Sequence, residues 1–211
     1  MEFLDARLTP QAPIIAAVSA VLARGGTVIV PTDTVYGLVC LPNRLEALAR
    51  IYASKGRPAH KPLSLVCASV PELLRVGEVK SSLASAAARC FLPGPLTLIV
   101  PRPAAIAPEV TAGAATLGLR VPAHPWLQQL LEQTGPLAST SANLSGAEAY
   151  AGTAVEEAAL PEADLFVDAG PTQQRRESSV VDFTLAPPQM LREGALAKSQ
   201  LATWLRDFGV V

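Results

Sequence analysis

The sequence has few of the residues that build disulfide frameworks or zinc sites. It holds three cysteines and two histidines in 211 residues. Cys40, Cys67 and Cys90 are widely spaced, form no Cys-x-x-Cys pair and each lies in or beside an apolar run, a pattern typical of buried free thiols in a reducing compartment. With His60 and His124 as the imidazoles, a His-based zinc site is not expected, and no metal-ligating residues are predicted.

Excess charge of one sign and long apolar runs are also lacking. Seventeen Lys and Arg face eighteen Asp and Glu, a net charge of -1, so the chain has no overall basic field for nucleic acid and any phosphate site must be local. The longest nearly apolar run, 13–23, is too short to span a bilayer. The first residues carry Glu2 and Asp5 instead of the basic region of a targeting signal. A cytoplasmic protein that does not enter the membrane is therefore expected.

A chain of 211 residues with 50% hydrophobic residues is large enough to bury a sizeable core. No internal repeat and no linker divides it, so a single domain over residues 1–211 is predicted. Segments with strand character alternate irregularly with helical segments. This arrangement predicts an α/β fold, with a twisted mixed parallel and antiparallel sheet flanked by helices.

Apolar spacing and turn residues locate the expected elements. Helices are predicted near 14–22, 45–55, 71–75, 81–92, 125–131, 155–160 and 196–208, and strands at 27–30, 63–67, 96–100, 116–121, 137–143, 165–167 and 179–183, with a strand end or turn at 190–194. Thr9 and Asn43 are the expected caps of the first two helices, and Gly56 is expected to end the second. Residues 170–177 are polar between two strands and predict a mobile loop that orders over a ligand.

The central stretch is 25–40, where an apolar strand stops at Pro31 and is followed by Thr32, Asp33, Thr34 and Tyr36. Polar groups at a strand end are a common ligand site in α/β sheets. The alternative is a capped turn in which Asp33 and Thr34 satisfy local backbone groups.

Two further segments carry candidate ligand groups. Lys55, Arg57 and Lys61 lie within seven positions on a loop shaped by Gly and Pro, which suits phosphate binding; a solvated basic turn after a helix is the alternative. Since this segment is a loop, replacing Lys55 or Arg57 by Ala is expected to change stability by no more than about 0.5 kcal/mol. Ser141 and Asn143 lie in a hydroxyl-rich loop that suits phosphate or sugar oxygens, or that forms only a local turn.

The following motifs occur in order along the chain: PTDTVYGL at 31–38, KGRP at 55–58 with KPL at 61–63, PGP at 93–95, LRVP at 119–122, STSANLSG at 139–146 and SSVVD at 178–182. Through them the chain resembles the YrdC/TsaC family from about residue 22 to 194. The resemblance implies an ATP-dependent reaction of L-threonine with bicarbonate or carbon dioxide that gives threonylcarbamoyladenylate and pyrophosphate. That product is the donor for threonylcarbamoyladenosine in transfer RNA, which makes downstream tRNA threonylcarbamoyl-transfer proteins the expected partners. The length corresponds to the family's short form.

The same resemblance assigns roles to residues. Lys55 and Arg57 would act in the chemical step, and ATP would be bound by Lys55, Arg57, Ser141, Asn143, Ser178 and Arg192; L-threonine would be bound by Thr32, Tyr36, Lys61, Thr97 and Arg120. Glu177 departs from the family, whose members often have Pro or a small residue there. Mg²⁺ would arrive with ATP and be held by phosphates and water.

Two alternative functions remain open. One is carbamoyl-adenylate chemistry with carbamoyl phosphate, as in the related domain of hydrogenase-maturation proteins, although the zinc-finger and acylphosphatase modules that accompany it are lacking. The other is a double-stranded RNA-binding module that grips phosphates weakly with the basic loop; its affinity would fall steeply with salt.

Overall fold

The apolar runs form the strands of one mixed sheet. The structure, a computed structural model, describes residues 1–153 and 160–210. Within these residues the strands are β1 Glu2–Asp5, β2 Val28–Val30, β3 Gly37–Cys40, β4 Ser64–Val66, β5 Leu96–Pro101, β6 Thr116–Arg120, β7 Leu137–Ser141, β8 Leu165–Asp168, β9 Ser179–Asp182 and β10 Gln189–Arg192. Their order in the ten-stranded sheet is β1-β8-β2-β3-β7-β4-β6-β5-β9-β10.

The helices lie on both sides of this sheet. They are α1 Gln11–Ala23, α2 Leu45–Lys55, α3 Val70–Val76, α4 Ser82–Phe91, α5 Pro125–Thr134 and α6 Lys198–Asp207, with a 3₁₀ turn at Pro108–Thr111. None of the described helices is long and apolar enough to cross a membrane.

Strand pairing confirms the predicted mixed sheet. Strand β8 is parallel to both β1 and β2, and the pairs β4–β6 and β5–β9 are also parallel. The pairs β2–β3, β3–β7, β4–β7, β5–β6 and β9–β10 are antiparallel. The α/β class predicted from the sequence is therefore correct.

Alternation along the strands divides the core in two. In β2, Val28 and Val30 pack into the smaller cluster with α1 and α5, whereas Ile29 packs into the larger cluster on the other face. The larger cluster takes apolar residues from α2, α4 and α6 and from most strands, for example Leu65 and Leu119. One face of the sheet is thus covered along most of its width, while α1 and α5 cover only part of the other face.

Several local expectations are wrong. Pro10 stands at the N-cap of α1 and Arg44 at that of α2, with no side-chain cap bond, so neither Thr9 nor Asn43 is the cap. Strands β1 and β3 were not expected, because neither shows a clear alternating run. Gly56 does end α2, with a φ of +57°. The predicted helix at 155–160 falls almost wholly on 154–159, outside the described residues.

The cysteines follow the prediction in two cases out of three. Cys40 and Cys67 are buried free thiols, whereas Cys90 is exposed. Cys90 lies near the C-terminal end of α4, whose buried face is formed by Ala84, Ala87 and Ala88. Its position on the opposite face of that helix explains the difference.

Candidate active site

The uncovered part of the sheet face holds a cavity of about 300 Å³. Seven adjacent strands, from β3 through β7, β4, β6, β5 and β9 to β10, each contribute at least one residue to its wall. Side chains alternate between the two faces of a strand, so the sequence neighbours of the buried leucines point into the cavity. Ser64 and Val66 flank Leu65, and Thr97 and Ile99 flank Leu98. The polar residues of these strands are therefore gathered where none of the described helices covers the sheet.

Arg120, at the end of β6, is the most firmly held charge on the wall. Its guanidinium donates from Nη2 to Asp33 Oδ1 at 2.6 Å, from Nη1 to Thr34 Oγ1 at 2.8 Å and from Nε to the Gly94 carbonyl at 3.0 Å. One N–H on each terminal nitrogen remains, enough to receive a carboxylate. The capped-turn alternative for Asp33 and Thr34 is therefore wrong, since both side chains bind an arginine on another strand.

Thr32 and Tyr36, the predicted threonine contacts, lie on the cavity wall and also hold the local fold. The Thr32 hydroxyl donates to the Val35 carbonyl at 2.6 Å and accepts from the Thr34 amide at 3.1 Å, so it closes its own turn. The fully buried Tyr36 hydroxyl donates to the Gly170 carbonyl at 2.8 Å and accepts from the Ala169 amide at 2.9 Å. Burial raises the pKa of this phenol far above its ordinary value. Both hydroxyls have partners within the fold, and both residues line the cavity, so the contacts with threonine stay a prediction.

The loop after α2 places Arg57 and Lys61 on the cavity wall. Arg57 donates from Nε to the Lys61 carbonyl at 3.1 Å and from Nη2 to the Pro62 carbonyl at 2.8 Å, which closes the loop upon itself. Nη1 is left free by these two bonds. Burial lowers the pKa of the Arg57 guanidinium. These two predicted residues do lie where an anionic ligand can reach them.

Lys55 and Asn143 form a support behind the wall. Lys55 is 2% exposed at the last turn of α2, and its ammonium donates to the carbonyls of Ser141 and Asn143. Asn143 in turn donates from Nδ2 to the carbonyls of Leu144 and Ala147, both at 2.8 Å. Burial lowers the pKa of Lys55 to about 8. Neither side chain lines the cavity. The prediction that Lys55 lies on a loop is wrong, because it is a buried residue of α2.

Ser141 lies on the cavity wall in front of this support. Its hydroxyl donates to Asn143 Oδ1 at 2.5 Å, and the neighbouring Ser139 and Thr140 share the wall. The two alternatives for this segment thus apply to different residues. Asn143 forms the local turn, whereas Ser141 faces the cavity.

A third group of side chains lies at the β5, β9 and β10 end. Thr97 Oγ1 and Ser178 Oγ are 2.8 Å apart, and Arg192 donates from Nε and Nη2 to the Ser178 carbonyl at 3.1 and 2.9 Å. Arg192 Nη1 pairs with Glu177 Oε1 at 2.8 Å. The predicted residues Thr97, Ser178 and Arg192 are therefore brought together on the wall, with Glu177 as an additional member.

A β-bulge sets the direction of Arg192. In the β9–β10 pair, Met190 is opposite Val181 but Arg192 is opposite Val180, so Leu191 is the extra residue. Met190 packs towards the larger core cluster, and without the bulge Arg192 would point to that face as well. The inserted residue turns Arg192 to the cavity face beside Val180.

The loop at 170–177 is tied to the central turn in its first half. Thr172 donates from Oγ1 to the Thr34 carbonyl at 2.5 Å, and the Gln174 amide donates to the Asp33 carbonyl at 2.9 Å. Residues 173–176 are exposed. The loop ends at Glu177, whose carbonyl accepts from the Ala195 amide at 2.8 Å.

The cavity wall is strongly cationic, although the chain as a whole is not. Arg57, Lys61, Arg120 and Arg192 face one carboxylate, Glu177, on the described wall. The described residues contain no cluster of three or more His, Cys, Asp or Glu side chains that could hold a metal ion. The arrangement is suited to an anionic ligand with several oxygens.

Sequence reasoning missed the roles of two charged residues at this site. Asp33 was named without its role as the partner of Arg120, and Glu177 was noted only as a departure from a motif. The first relationship joins residues 87 positions apart, which no local pattern signals. For Glu177, the available signal was an acidic residue directly before the SSVVD motif at 178–182.

Comparison with known proteins is consistent with this geometry. The Sua5/yciO/yrdC family model, described as telomere recombination, matches residues 20–194. The chain is 37% identical over 202 residues to a threonylcarbamoyl-AMP synthase of Bacillus subtilis, covering 92% of this chain and 57% of that protein. It is 32% identical to a putative threonylcarbamoyl-AMP synthase of Mycobacterium tuberculosis, covering 90% of this chain and 87% of the relative.

A solved structure agrees with these relatives. The Pyrococcus abyssi Sua5 structure complexed with L-threonine has a TM-score of 0.85 at 31% identity, and the match covers all of this chain and 61% of that one. The chain thus spans a little over half the length of several of the longer proteins it matches. Since the family model matches most of the sequence and the fold agrees, the chain belongs to the Sua5/yciO/yrdC family.

Proposed function

We propose that the protein is a threonylcarbamoyl-AMP synthase, which condenses L-threonine, bicarbonate or carbon dioxide, and ATP to threonylcarbamoyl-AMP and pyrophosphate. The observation that carries the proposal is the cavity wall with four cationic side chains and several hydroxyls on the open face of the sheet. Relatives with this name and a threonine complex of a similar structure support it.

The reaction makes two bonds. The amino nitrogen of L-threonine bonds to the carbon of carbon dioxide and loses a proton to solvent, which gives a carbamate. With bicarbonate, the bond from carbon to its hydroxyl oxygen breaks, and the amine proton leaves with that hydroxyl as water. A carbamate oxygen then bonds to the α-phosphorus of ATP. The bond from that phosphorus to the bridging oxygen breaks, and pyrophosphate leaves with the electron pair. The protein contributes mainly positioning and compensation of negative charge.

Arg120 is suited to the carboxylate of threonine. Its two remaining N–H groups lie on Nη1 and Nη2, and a guanidinium binds a carboxylate through two parallel hydrogen bonds. The ion pair with Asp33 keeps this guanidinium from turning. Because the hydroxyls of Thr32 and Tyr36 have partners within the fold, the substrate hydroxyl is assigned to the two serines on the β7 part of the wall, Ser139 and Ser141.

Arg57, Lys61 and Arg192 are suited to the phosphates. Arg57 keeps Nη1 free, and Lys61 lies on the same wall. Charge that develops on the leaving pyrophosphate would strengthen these contacts in the transition state. Lys55 and Asn143 act in this scheme by holding Ser141, not by touching the nucleotide.

Magnesium fits the site as a companion of the nucleotide. The described wall offers a single carboxylate, so Mg²⁺ would be held chiefly by phosphate oxygens and water, and when bound it would neutralise phosphate charge. The product is a labile mixed anhydride, which makes tRNA-modifying proteins in the cytoplasm its proposed users.

The cavity favours this function over the RNA-binding alternative. A wall enclosing about 300 Å³ admits a nucleotide-sized ligand but not an RNA duplex. Carbamoyl-adenylate chemistry would require carbamoyl phosphate in place of threonine and bicarbonate.

The test measures pyrophosphate release from ATP and bicarbonate with L-threonine, L-serine, L-valine or carbamoyl phosphate. Threonine should be the best substrate, with serine lower by about 10- to 200-fold and valine lower by about 10⁴-fold, because valine leaves a polar site unpaired. Carbamoyl phosphate should give no release. Equal rates with threonine and valine would contradict the assignment, and release with carbamoyl phosphate alone would favour the alternative enzyme.

A further inference from the structure

Glu177 introduces a negative charge into an otherwise cationic cavity. It lies at the end of the 170–177 loop, immediately before Ser178, and its Oε1 accepts from Arg192 Nη1 at 2.8 Å. The charge of Glu177 also acts on Arg57 in the basic loop. Burial lowers the pKa of Arg57, and the negative charge of Glu177 partly offsets this effect. An anionic ligand that entered this end of the cavity would find the Arg192 guanidinium already bound to the carboxylate of Glu177.

The pair between Glu177 and Arg192 is easily exchanged. The two side chains are 37% and 42% exposed, and ion pairs with this exposure contribute little to stability. At the Arg120 part of the wall the corresponding pair with Asp33 is 9% and 2% exposed and is fixed by burial. The cavity therefore has one permanent and one exchangeable ion pair.

Arg192 does not depend on Glu177 for its position. Nε and Nη2 both donate to the Ser178 carbonyl, and the β-bulge at Leu191 directs the side chain to the cavity. Glu177 occupies only Nη1, so its departure would leave the guanidinium in place with two N–H groups free. A phosphate oxygen would find this position already formed.

We propose that Glu177 is an internal counter-anion: its carboxylate occupies the phosphate position at Arg192 in the free protein, weakens the binding of polyphosphates and speeds the departure of pyrophosphate. This inference rests on the proposed function, because it assigns the β10 end of the cavity to the pyrophosphate part of ATP. A site with four cations and no such carboxylate would retain a highly charged product.

The test is the affinity of inorganic pyrophosphate, measured by isothermal titration calorimetry in buffer without Mg²⁺. The proteins are the wild type, Glu177→Gln, Glu177→Asp and, as a control for net charge, Glu132→Gln. Glu132 is exposed on α5 and does not line the cavity. Glu177→Gln should bind pyrophosphate about fivefold or more tightly, because a like-charge contact is removed. Glu177→Asp and Glu132→Gln should stay close to the wild type.

Steady-state kinetics supply a second readout. Glu177→Gln should lower the KM for ATP and strengthen inhibition by pyrophosphate several-fold, with the KM for threonine unchanged. Equal dissociation constants for the wild type and Glu177→Gln would overturn the inference and leave the proposed function intact. If no protein bound pyrophosphate, the anion site itself would be wrong and the proposed function would fall with it.

Discussion

Asp33 and Arg120, 87 residues apart in the sequence, form a buried ion pair with 2.6 Å between Oδ1 and Nη2. The pair joins the turn after β2 to the end of β6, and the carbonyl of Asp33 also accepts from Gln174 in the 170–177 loop. A buried guanidinium without its carboxylate would be strongly unfavourable. Asp33 of the central polar cluster is therefore the counter-charge of Arg120.

Replacing Asp33 by Ala should lower the free energy of unfolding by about 3–5 kcal/mol, because it leaves Arg120 buried without a partner. Asp33→Asn keeps a hydrogen-bond acceptor and should cost less, but it should raise the KM for threonine more than that for ATP. Urea denaturation and steady-state kinetics measure the two effects. Arg75→Ala breaks an exposed helical pair with Glu72 and should change stability by no more than about 0.5 kcal/mol. A loss of stability no larger for Asp33→Ala than for this control would contradict the role of the pair.

Lys55→Met should destabilise the protein by about 1–3 kcal/mol, because the carbonyls of Ser141 and Asn143 lose a charged donor while buried. Activity should fall through displacement of Ser141. Lys61→Met is the matched control, since Lys61 is exposed on the loop that follows α2. It should keep the wild-type melting temperature and lose affinity for ATP. If Lys55→Met and Lys61→Met had equal melting temperatures, the contacts of Lys55 with the two carbonyls would not stabilise the fold, which would contradict the prediction.

Arg57→Ala should reduce turnover at least tenfold, since a charge-assisted contact to phosphate contributes about 1.5–3 kcal/mol. Arg57→Lys should also be impaired, because Lys keeps the charge but lacks the forked donors that hold the Lys61 and Pro62 carbonyls. Pyrophosphate release at saturating threonine measures both. Wild-type turnover in both variants would show that the basic loop is only a solvated turn.

The native protein should expose one reactive thiol. Burial raises the pKa of Cys40 and of Cys67 to about 12, whereas Cys90 is exposed. Iodoacetamide at pH 8.5 should therefore modify Cys90 alone before unfolding and all three cysteines in urea, as counted by mass spectrometry. Cys90→Ser should abolish the native modification. Rapid labelling of Cys40 or Cys67 in the folded protein would contradict their burial.

The same thiols give a pH dependence of stability. Their pKa in the folded state lies above the ordinary value of 9.0, so the unfolded chain loses these protons first. The contribution of Cys40 and Cys67 to stability is fully present below pH 9 and is lost as the pH rises towards 12. Replacing both cysteines by Ala should flatten the decline of the unfolding free energy in this range.

Local patterns were sufficient for the elements that form by their own periodicity. Strands such as β2 and β6 are short β-branched or leucine runs ended by polar residues, and each was located to within two residues. Strand β3 was missed because Gly37 follows a polar cluster and the strand is specified by its pairing with β2 and β7. The fold class followed from the number and spacing of the elements, which does not depend on such details.

The candidate site was predictable as a set of residues but not as an arrangement. The predicted site residues that line the cavity are Thr32, Tyr36, Arg57, Lys61, Thr97, Arg120, Ser141, Ser178 and Arg192. The direction of each side chain was not available from sequence. Lys55 turns inwards to two carbonyls, the Tyr36 hydroxyl binds residues 169 and 170, and Arg192 depends on a one-residue bulge. Long-range contacts decide these directions.

The loop at 170–177 should close over the bound nucleotide through its exposed part. Thr172 and Gln174 attach the first half to the backbone of Thr34 and Asp33, whereas Arg175 and Arg176 are exposed between this attachment and Glu177. Few buried contacts hold residues 173–176, so this part is expected to open easily in the free protein.

Limited trypsin digestion measures this closure, because the enzyme cleaves after Arg175 and Arg176. ATP with L-threonine should slow cleavage at these two sites several-fold, since ligand contacts with Ser178 restrain the end of the loop. ATP with L-valine should protect much less, which separates closure from simple binding of ATP. Thr172→Val removes the Oγ1 bond to the Thr34 carbonyl at nearly constant volume, and it should speed cleavage in the free protein. If the rates at Arg175 and Arg176 were the same with and without both substrates, the loop would be a fixed part of the wall and not a lid.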